Sequence, residues 1–152
     1  MIKKLGLMVS CLIIAMLTFT GCGSKAATYT YDTTTGDKIE MKLKNASDYK
    51  VSSEMPFEIT KGDELQVMGQ FISLKEYESA RKEITEMEDS KMTIVEESKK
   101  NGNEFICWNY NNNEFLYLMK IKDSNTAVVL GNETSLEVAQ DIFKKLEFSI
   151  VK

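Results

Sequence analysis

The sequence predicts an α+β domain in which an antiparallel sheet is covered by two helices. Extended segments and helices follow one another in the order strands, helix, strands, helix, strand, and hairpin turns join most of the strands. Apolar residues occupy both parities of residues 105–110 and 115–119, which is typical of central strands buried on both faces. The two helices are therefore expected to supply the covering layers.

The first elements of the domain are strands joined by a tight turn. Polar residues alternate with apolar or aromatic residues in 28–33 and again in 38–42. Residues 35–37, Thr-Gly-Asp, provide turn chemistry between them, so the pair predicts a hairpin.

A short extended piece, a proline and a longer strand come next. Residues 49–51 have an extended pattern, and Pro56 suits the edge or the entrance of a strand at 57–60 because it has no amide hydrogen. Residues 65–72 predict a longer strand. Gly69 within it indicates a bulge or the close approach of another group.

A capping box predicts the first helix. Ser73 and Glu76 have the spacing at which each side chain accepts a hydrogen bond from the other residue's amide. The helix should extend to about Met87. Its buried face consists of the apolar residues at helical spacing, namely Tyr77, Ala80, Ile84 and Met87.

The second half of the chain predicts a meander, then a helix and a last strand. Asn101-Gly102 between extended runs is a strong hairpin signal. The predicted strands are residues 91–97, 105–110, 114–122, 126–130 and 148–151. Thr134-Ser135-Leu136-Glu137 repeats the capping spacing and opens the second helix. The buried stripe of that helix is Leu136, Ala139, Ile142, Phe143 and Leu146.

The pattern of the whole predicted mature chain, residues 22–152, resembles the small lipoproteins of the PsbP-like α/β/α sandwich superfamily. The segments that carry the resemblance are 49–51 with Pro56-Phe57, 73–77, 101–110 and 138–149. The resemblance implies an antiparallel sheet between helices and an accessory role outside the cytoplasm, without a cofactor or chemistry. No functional residue carries over from it.

The first two dozen residues have the pattern of an export signal. Lys3 and Lys4 precede an apolar run over 5–19, and Gly21 next to Cys22 is a small residue of the kind that signal peptidases require. An uncleaved membrane-spanning helix is the alternative, but it normally needs about 20 apolar residues. The sequence therefore predicts a cleaved signal peptide.

The four residues Phe19-Thr20-Gly21-Cys22 resemble the bacterial lipobox. That resemblance implies cleavage between Gly21 and Cys22 and attachment of a diacylglycerol to the Cys22 sulfur. Two acyl chains give durable membrane attachment, whereas one gives only marginal binding. We therefore expect a signal peptide at 1–21, a lipidated tether at 22–27 and a single domain at 28–152, held at the cell membrane on its extracytoplasmic side.

Composition excludes several function classes. Cleavage of the signal peptide removes Lys3 and Lys4 and leaves 17 cationic and 23 acidic side chains. This net negative charge disfavours nucleic acid as a partner, because such binding depends on cations placed against phosphates. Histidine is absent, so catalytic triads and zinc sites built on histidine are excluded. Cys11 would be removed with the signal peptide and Cys22 would carry the lipid, so Cys107 has no cysteine left to pair with. Cys107 is expected to behave as a small apolar side chain rather than as a nucleophile.

Two clusters invite a functional interpretation. The acidic residues are Glu83, Glu86, Glu88, Asp89, Glu96 and Glu97, which could bind a hard cation but more simply form a solvated face. The aromatic residues Trp108, Tyr110, Phe115 and Tyr117 lie close to Asn109 and 111–113, and could stack on sugar rings. A core of cross-strand aromatic pairs is the preferred interpretation of the second cluster.

The sequence thus favours a non-catalytic binding or accessory protein of the cell envelope. Its partners would be the membrane, through the lipid on Cys22, and an envelope protein that the residues do not identify. No catalytic residue, metal ligand or cofactor site is assigned. The alternative is a small envelope hydrolase that uses a pair of carboxylates.

Overall fold

The structure is a computed structural model, which describes residues 25–89 and 91–152. The predicted signal peptide and the lipid attachment site at Cys22 lie outside the described residues. The elements are β1 (Ala27–Asp32), β2 (Lys38–Leu43), β3 (Tyr49–Val51), β4 (Phe57–Lys61), β5 (Glu64–Ser73), α1 (Leu74–Glu86), β6 (Met92–Lys100), β7 (Asn103–Tyr110), β8 (Glu114–Lys120), β9 (Thr126–Asn132), α2 (Leu136–Lys145) and β10 (Leu146–Ile150). A short 3₁₀ turn, Ala46–Asp48, precedes β3.

The described strands form two antiparallel sheets. The large sheet has the order β3-β4-β5-β9-β8-β7-β6, and the small sheet has the order β1-β2-β10. Strands account for 52% of the structure and helices for 20%. The prediction of an α+β fold, with one antiparallel sheet between two helices as in a PsbP-like sandwich, is therefore wrong, because the fold is β-rich and contains a second sheet.

The second sheet exists because β2 has an apolar face and two partners. Ile39, Met41 and Leu43 alternate along β2 and are fully buried against the large sheet. On one side β2 pairs with β1, and on the other with β10, so that Leu43 lies opposite both Ala27 and Leu146. The small sheet and α2 together cover one face of the large sheet.

The opposite face of the large sheet is covered by α1. Tyr77 and Ile84 of α1 pack on Ile106, Leu118 and Ala127 of β7, β8 and β9. The burial of residues 105–107 and 117–119 confirms that the central strands are enclosed on both faces. The covering layers differ from the prediction: one is a helix, whereas the other is mainly a sheet.

Local signals in the sequence locate most turns and caps. Asn101 and Gly102 both have positive φ, 54° and 84°, as a hairpin turn of type I′ requires, so this predicted hairpin is confirmed. The capping box is also confirmed: the Ser73 amide donates to Glu76 Oε2 (2.8 Å) and the Glu76 amide donates to Ser73 Oγ (3.3 Å). The cap of α2 is Ser135 rather than Thr134, since Ser135 Oγ accepts from the Val138 amide.

Three residues predicted to be buried on helices have other positions. Leu136 is 37% exposed and Met87, which caps the end of α1, is 48% exposed. Leu146 is buried, but it is the first residue of β10. At Gly69 the register is regular, and the close approach is that of the Phe57 ring, which a Cβ atom there would overlap.

Candidate functional site

One helix is too small to cover a face of the large sheet. Seven strands span about 29 Å at 4.8 Å per strand, while α1, with 13 residues, is about 20 Å long and about 10 Å wide. α1 starts at the end of β5, and its last turn approaches Met92 at the start of β6. A corner of the sheet, formed by parts of β5, β9, β8 and β7, is left uncovered.

This corner forms an apolar groove. Register places Met68, Gly131, Leu116, Trp108 and Ile94 in one row across five neighbouring strands, all on the face that carries α1. Two adjoining clefts, of about 380 and 350 Å³, lie along this row and share Leu116 and Glu114. We call the two clefts together the corner groove. Its other apolar lining residues are Leu65, Ala80, Ile84, Met87, Met92, Tyr110, Leu118 and Val129.

The groove concentrates the exposed apolar side chains of the domain. Leu65, Met68 and Met87 line the clefts and are between 40% and 48% exposed. They make up three of the seven large apolar side chains exposed in the described part of the chain, and a fourth, Ile94, ends the same row beyond the clefts. Scattered exposed apolar residues are common in proteins, whereas a contiguous exposed group marks an interaction surface. The corner groove is therefore the candidate functional site.

The charged residues that line the groove are all acidic. Glu83, on α1, and Glu114, at the start of β8, line one cleft, and Glu114 and Glu133 line the other. No lysine or arginine of the described residues lines either cleft. None of these three carboxylates forms an ion pair within the described ranges.

Gly131 leaves the floor of the groove open. A Cβ atom built on this residue meets nothing within 4 Å, and its backbone does not have the positive φ that disfavours other residues. Asn132 next to it is 5% exposed, and its Oδ1 has no hydrogen-bond partner among the described residues. A larger residue at position 131 would extend into the groove without disturbing the sheet.

The aromatic cluster is divided between the two faces of the sheet. Phe115 and Tyr117 point to the core under the small sheet, where the ring of Tyr117 stacks on that of Phe143 at 4.1 Å. Trp108 and Tyr110 belong to the opposite face and line the corner groove. The prediction of an aromatic core thus holds for two of the four residues.

Cys107 occupies a core position. It is 1% exposed, and burial raises the pKa of its thiol to about 11. A thiol in such a site is protonated at neutral pH and does not meet a substrate, in agreement with its predicted role as a small apolar side chain.

A third cleft, of about 400 Å³, lies between α2 and the β6–β7 hairpin. Its Lys100 donates hydrogen bonds to the carbonyl oxygens of Leu146 (2.7 Å) and Phe143, and its ammonium lies 4.6 Å from the centre of the Phe143 ring. Burial lowers the pKa of Lys100 to about 8. The lysine fastens the hairpin to the end of α2, so this cleft has a structural explanation.

The acidic cluster predicted from the sequence does not converge on one point. Glu97 pairs with Arg81, and Glu86 lies 4.0 Å from Lys82. In the described ranges no group of three or more Asp, Glu, Cys or His side chains has the arrangement of a metal site. The one cluster member that lines the corner groove is Glu83.

Comparison with known proteins leaves the family open. No protein-family model matches the chain, and no curated protein matches it. The resemblance to PsbP-like lipoproteins stays a prediction. Neither helix of the described ranges has the length and apolar character needed to cross a bilayer.

Sequence reasoning missed most of the groove residues. Met68, Met87, Leu116 and Gly131 belong to three strands and a helix end that are distant in sequence, and no motif connects them. One available signal was the presence of apolar residues at both parities of β8 together with a helix too short to cover them.

Proposed function

We propose that the protein is a lipoprotein of the cell envelope, anchored through Cys22, that binds another envelope protein through the corner groove. The observation that carries the proposal is the contiguous apolar surface of the groove, where three large apolar side chains are at least 40% exposed. Burial of such a surface against a partner gains about 25 cal/mol per Å² of apolar area. The role is one of binding rather than catalysis.

The position of the groove suits a partner that lies away from the membrane. The tether from Cys22 leads into β1, which begins at Ala27 in the small sheet. Five residue steps extend at most about 18 Å, so the small sheet would remain near the lipid surface. The corner groove lies on the other face of the large sheet, on the side of α1.

Site-specific photo-crosslinking in intact cells tests the binding surface. A benzophenone amino acid replaces Met68 in the groove, and the control replaces Lys42, which is exposed on β2 of the small sheet. We expect a discrete protein adduct from position 68 that is lost when Gly131→Leu is also present. Identical adducts from both positions, or none from position 68, would contradict the proposal.

Metabolic labelling tests the anchor. Growth with an alkyne-bearing fatty acid should label the wild-type protein, and Cys22→Ser should abolish the label and prevent cleavage of the signal peptide. The Cys107→Ala variant is the matched control and should be labelled like the wild type. An unlabelled wild-type protein in the medium or the cytoplasm would refute lipid anchoring.

A carboxylate-dependent hydrolase remains the alternative. The observation that favours it is that Glu114 and Glu133 line the same cleft. Turnover of a cell-wall polymer or peptide by the purified protein, lost in Glu114→Gln, would favour this alternative over binding.

A further inference from the structure

We propose that the corner groove takes a cationic, amphipathic segment of the partner protein, with apolar side chains on the groove floor and Lys or Arg side chains against Glu83, Glu114 and Glu133. This inference rests on the proposed function, because it names the chemistry of the partner for the same groove.

The charge of the groove is the first argument. Some acidic side chains elsewhere on the domain have cationic partners, as Glu97 has Arg81, Glu104 has Lys99 and Glu147 has Lys44, and others are simply solvated. The carboxylates of the groove differ from both groups because they line an apolar surface that no Lys or Arg of the described residues lines. The three carboxylates that line the groove have no such partner among the described residues. Cations of a bound segment would supply the missing partners, and complementary charges across an interface select the partner and speed its encounter.

The composition of the floor is the second argument. Met68, Met87 and Met92 contribute flexible, polarisable thioethers beside the rigid ring of Trp108. Methionine-rich surfaces adapt to apolar side chains of different shapes and are typical of grooves that bind amphipathic helices. Such a floor suits a segment recognised by its pattern rather than by one anchoring residue.

The dimensions of the groove set the length of the segment. The lining residues extend from Met68 on β5 to Met92 on β6, across four strand intervals, which is about 19 Å. A helix of about 13 residues has this length. A short amphipathic helix with a basic side therefore fits the groove.

A lipid surface fits the groove less well than a peptide does. Anionic head groups attract polybasic segments, whereas the charges that line this groove are negative. The groove also lies on the face of the large sheet opposite the small sheet, which contains the strand that follows the tether.

The single tryptophan makes the test direct. Trp108 is the only tryptophan of the chain and lines the groove, so its fluorescence reports on this site. The full-length mature protein is reconstituted in phosphatidylcholine vesicles and titrated with a 14-residue peptide of Leu and Lys in an amphipathic pattern, which has no aromatic residue. The matched peptide has Glu in place of every Lys. We expect a saturable shift of Trp108 emission with the lysine peptide alone.

Two sets of variants locate the binding. The triple variant Glu83→Gln, Glu114→Gln, Glu133→Gln should bind the lysine peptide about tenfold more weakly, the sum of three exposed charge pairs. The control triple variant, Glu40→Gln, Asp48→Asn, Asp123→Asn, removes the same charge elsewhere and should bind like the wild type. Gly131→Leu, which fills the groove, should abolish the shift while the melting temperature is maintained.

Each contrary result has a distinct meaning. Equal binding of the glutamate peptide, still blocked by Gly131→Leu, would overturn the cationic partner and leave the groove as a binding site. Lysine-peptide binding that Gly131→Leu does not weaken would overturn the site. A shift of Trp108 on adding excess empty phosphatidylcholine vesicles, with no response to peptide, would indicate lipid and overturn both the inference and the proposed function.

Discussion

Tyr31 illustrates how burial acts on a single polar atom. Its ring lies in the core, with centroids 5.6 Å from Phe57 and 5.3 Å from Phe71, and its hydroxyl is buried without a hydrogen-bond partner among the described residues. Burial raises the pKa of this phenol well above its usual value. A buried hydroxyl without a partner costs free energy that the ring contacts must offset.

Replacing Tyr31 with phenylalanine should therefore not destabilise the protein. Tyr31→Phe keeps the ring contacts and removes the unpaired hydroxyl, so we expect an unchanged free energy of unfolding or a gain of about 1 kcal/mol. Urea unfolding of the variant and the wild type measures the difference. A loss above 1 kcal/mol would mean that the hydroxyl has a partner in the native protein.

Lys100 should make the free energy of unfolding depend on pH in the alkaline range. Its folded pKa, about 8, is below the ordinary value of 10.5, so the unfolded chain binds more protons between these values. Stability attributable to this residue should rise as pH increases from about 8 to 10.5, because the cost of burying the ammonium disappears. Urea unfolding of the wild type and of Lys100→Met at pH 7.5 and pH 10 isolates the effect. Between these pH values the free energy of unfolding of the wild type should rise relative to that of the variant.

Two glycines on neighbouring strands have different structural roles. Gly69 of β5 lies under the Phe57 ring, whereas Gly131 of the adjacent β9 borders open space. The sequence indicated a special role for Gly69, since a glycine weakens a strand unless it serves a close approach. Nothing in the sequence distinguished Gly131, because open space is a property of the assembled sheet.

The two alanine variants should differ sharply. Gly69→Ala forces the Phe57 ring to move and should cost about 2 kcal/mol or more, as overpacking does. Gly131→Ala should be neutral or slightly stabilising, because alanine restricts the unfolded chain more than glycine does. Thermal unfolding of both variants tests the pair, and equal melting temperatures would contradict the described packing.

The cap of α1 should weaken in acid. Hydrogen bonds from the Ser73 hydroxyl and amide lower the pKa of Glu76, so its contribution is present above the unfolded pKa and is lost as pH falls through the folded pKa. Glu76→Gln should reduce the loss of unfolding free energy between about pH 5 and pH 3 relative to the wild type. An identical pH dependence in both proteins would show that the carboxylate does not act in the cap.

At the scale of the whole molecule, the sequence predicts segments better than layers. The hairpin at Asn101-Gly102 and the capping box at Ser73 follow from nearest-neighbour chemistry, and the structure contains both. Whether β10 joins the large sheet or a separate one depends on which edge is available after the chain has folded, and no local pattern records that choice. The layer architecture was therefore the part that failed.

The candidate site has the same limit. The sequence singled out Trp108 and Tyr110 but grouped them with Phe115 and Tyr117. Strand register places the two pairs on opposite faces of the sheet, and the sequence alone does not show this. The exposure of the methionines in the corner groove had no sequence signal, and Met87 was predicted to be buried, because this exposure results from the length of α1 relative to the width of the sheet. The site became visible only once the large sheet, α1 and the layer on the opposite face were assembled.

The small sheet also determines how the molecule would respond to tension. β1 and β10 run parallel to each other on the two sides of β2, so residue 27 and residue 150 emerge from opposite ends of this sheet. A pull applied between these two points loads the hydrogen bonds of β2 in shear, where many must break together, rather than one after another as in a zipper. The strands nearest the proposed tether thus form a mechanical clamp that would hold the domain intact under load.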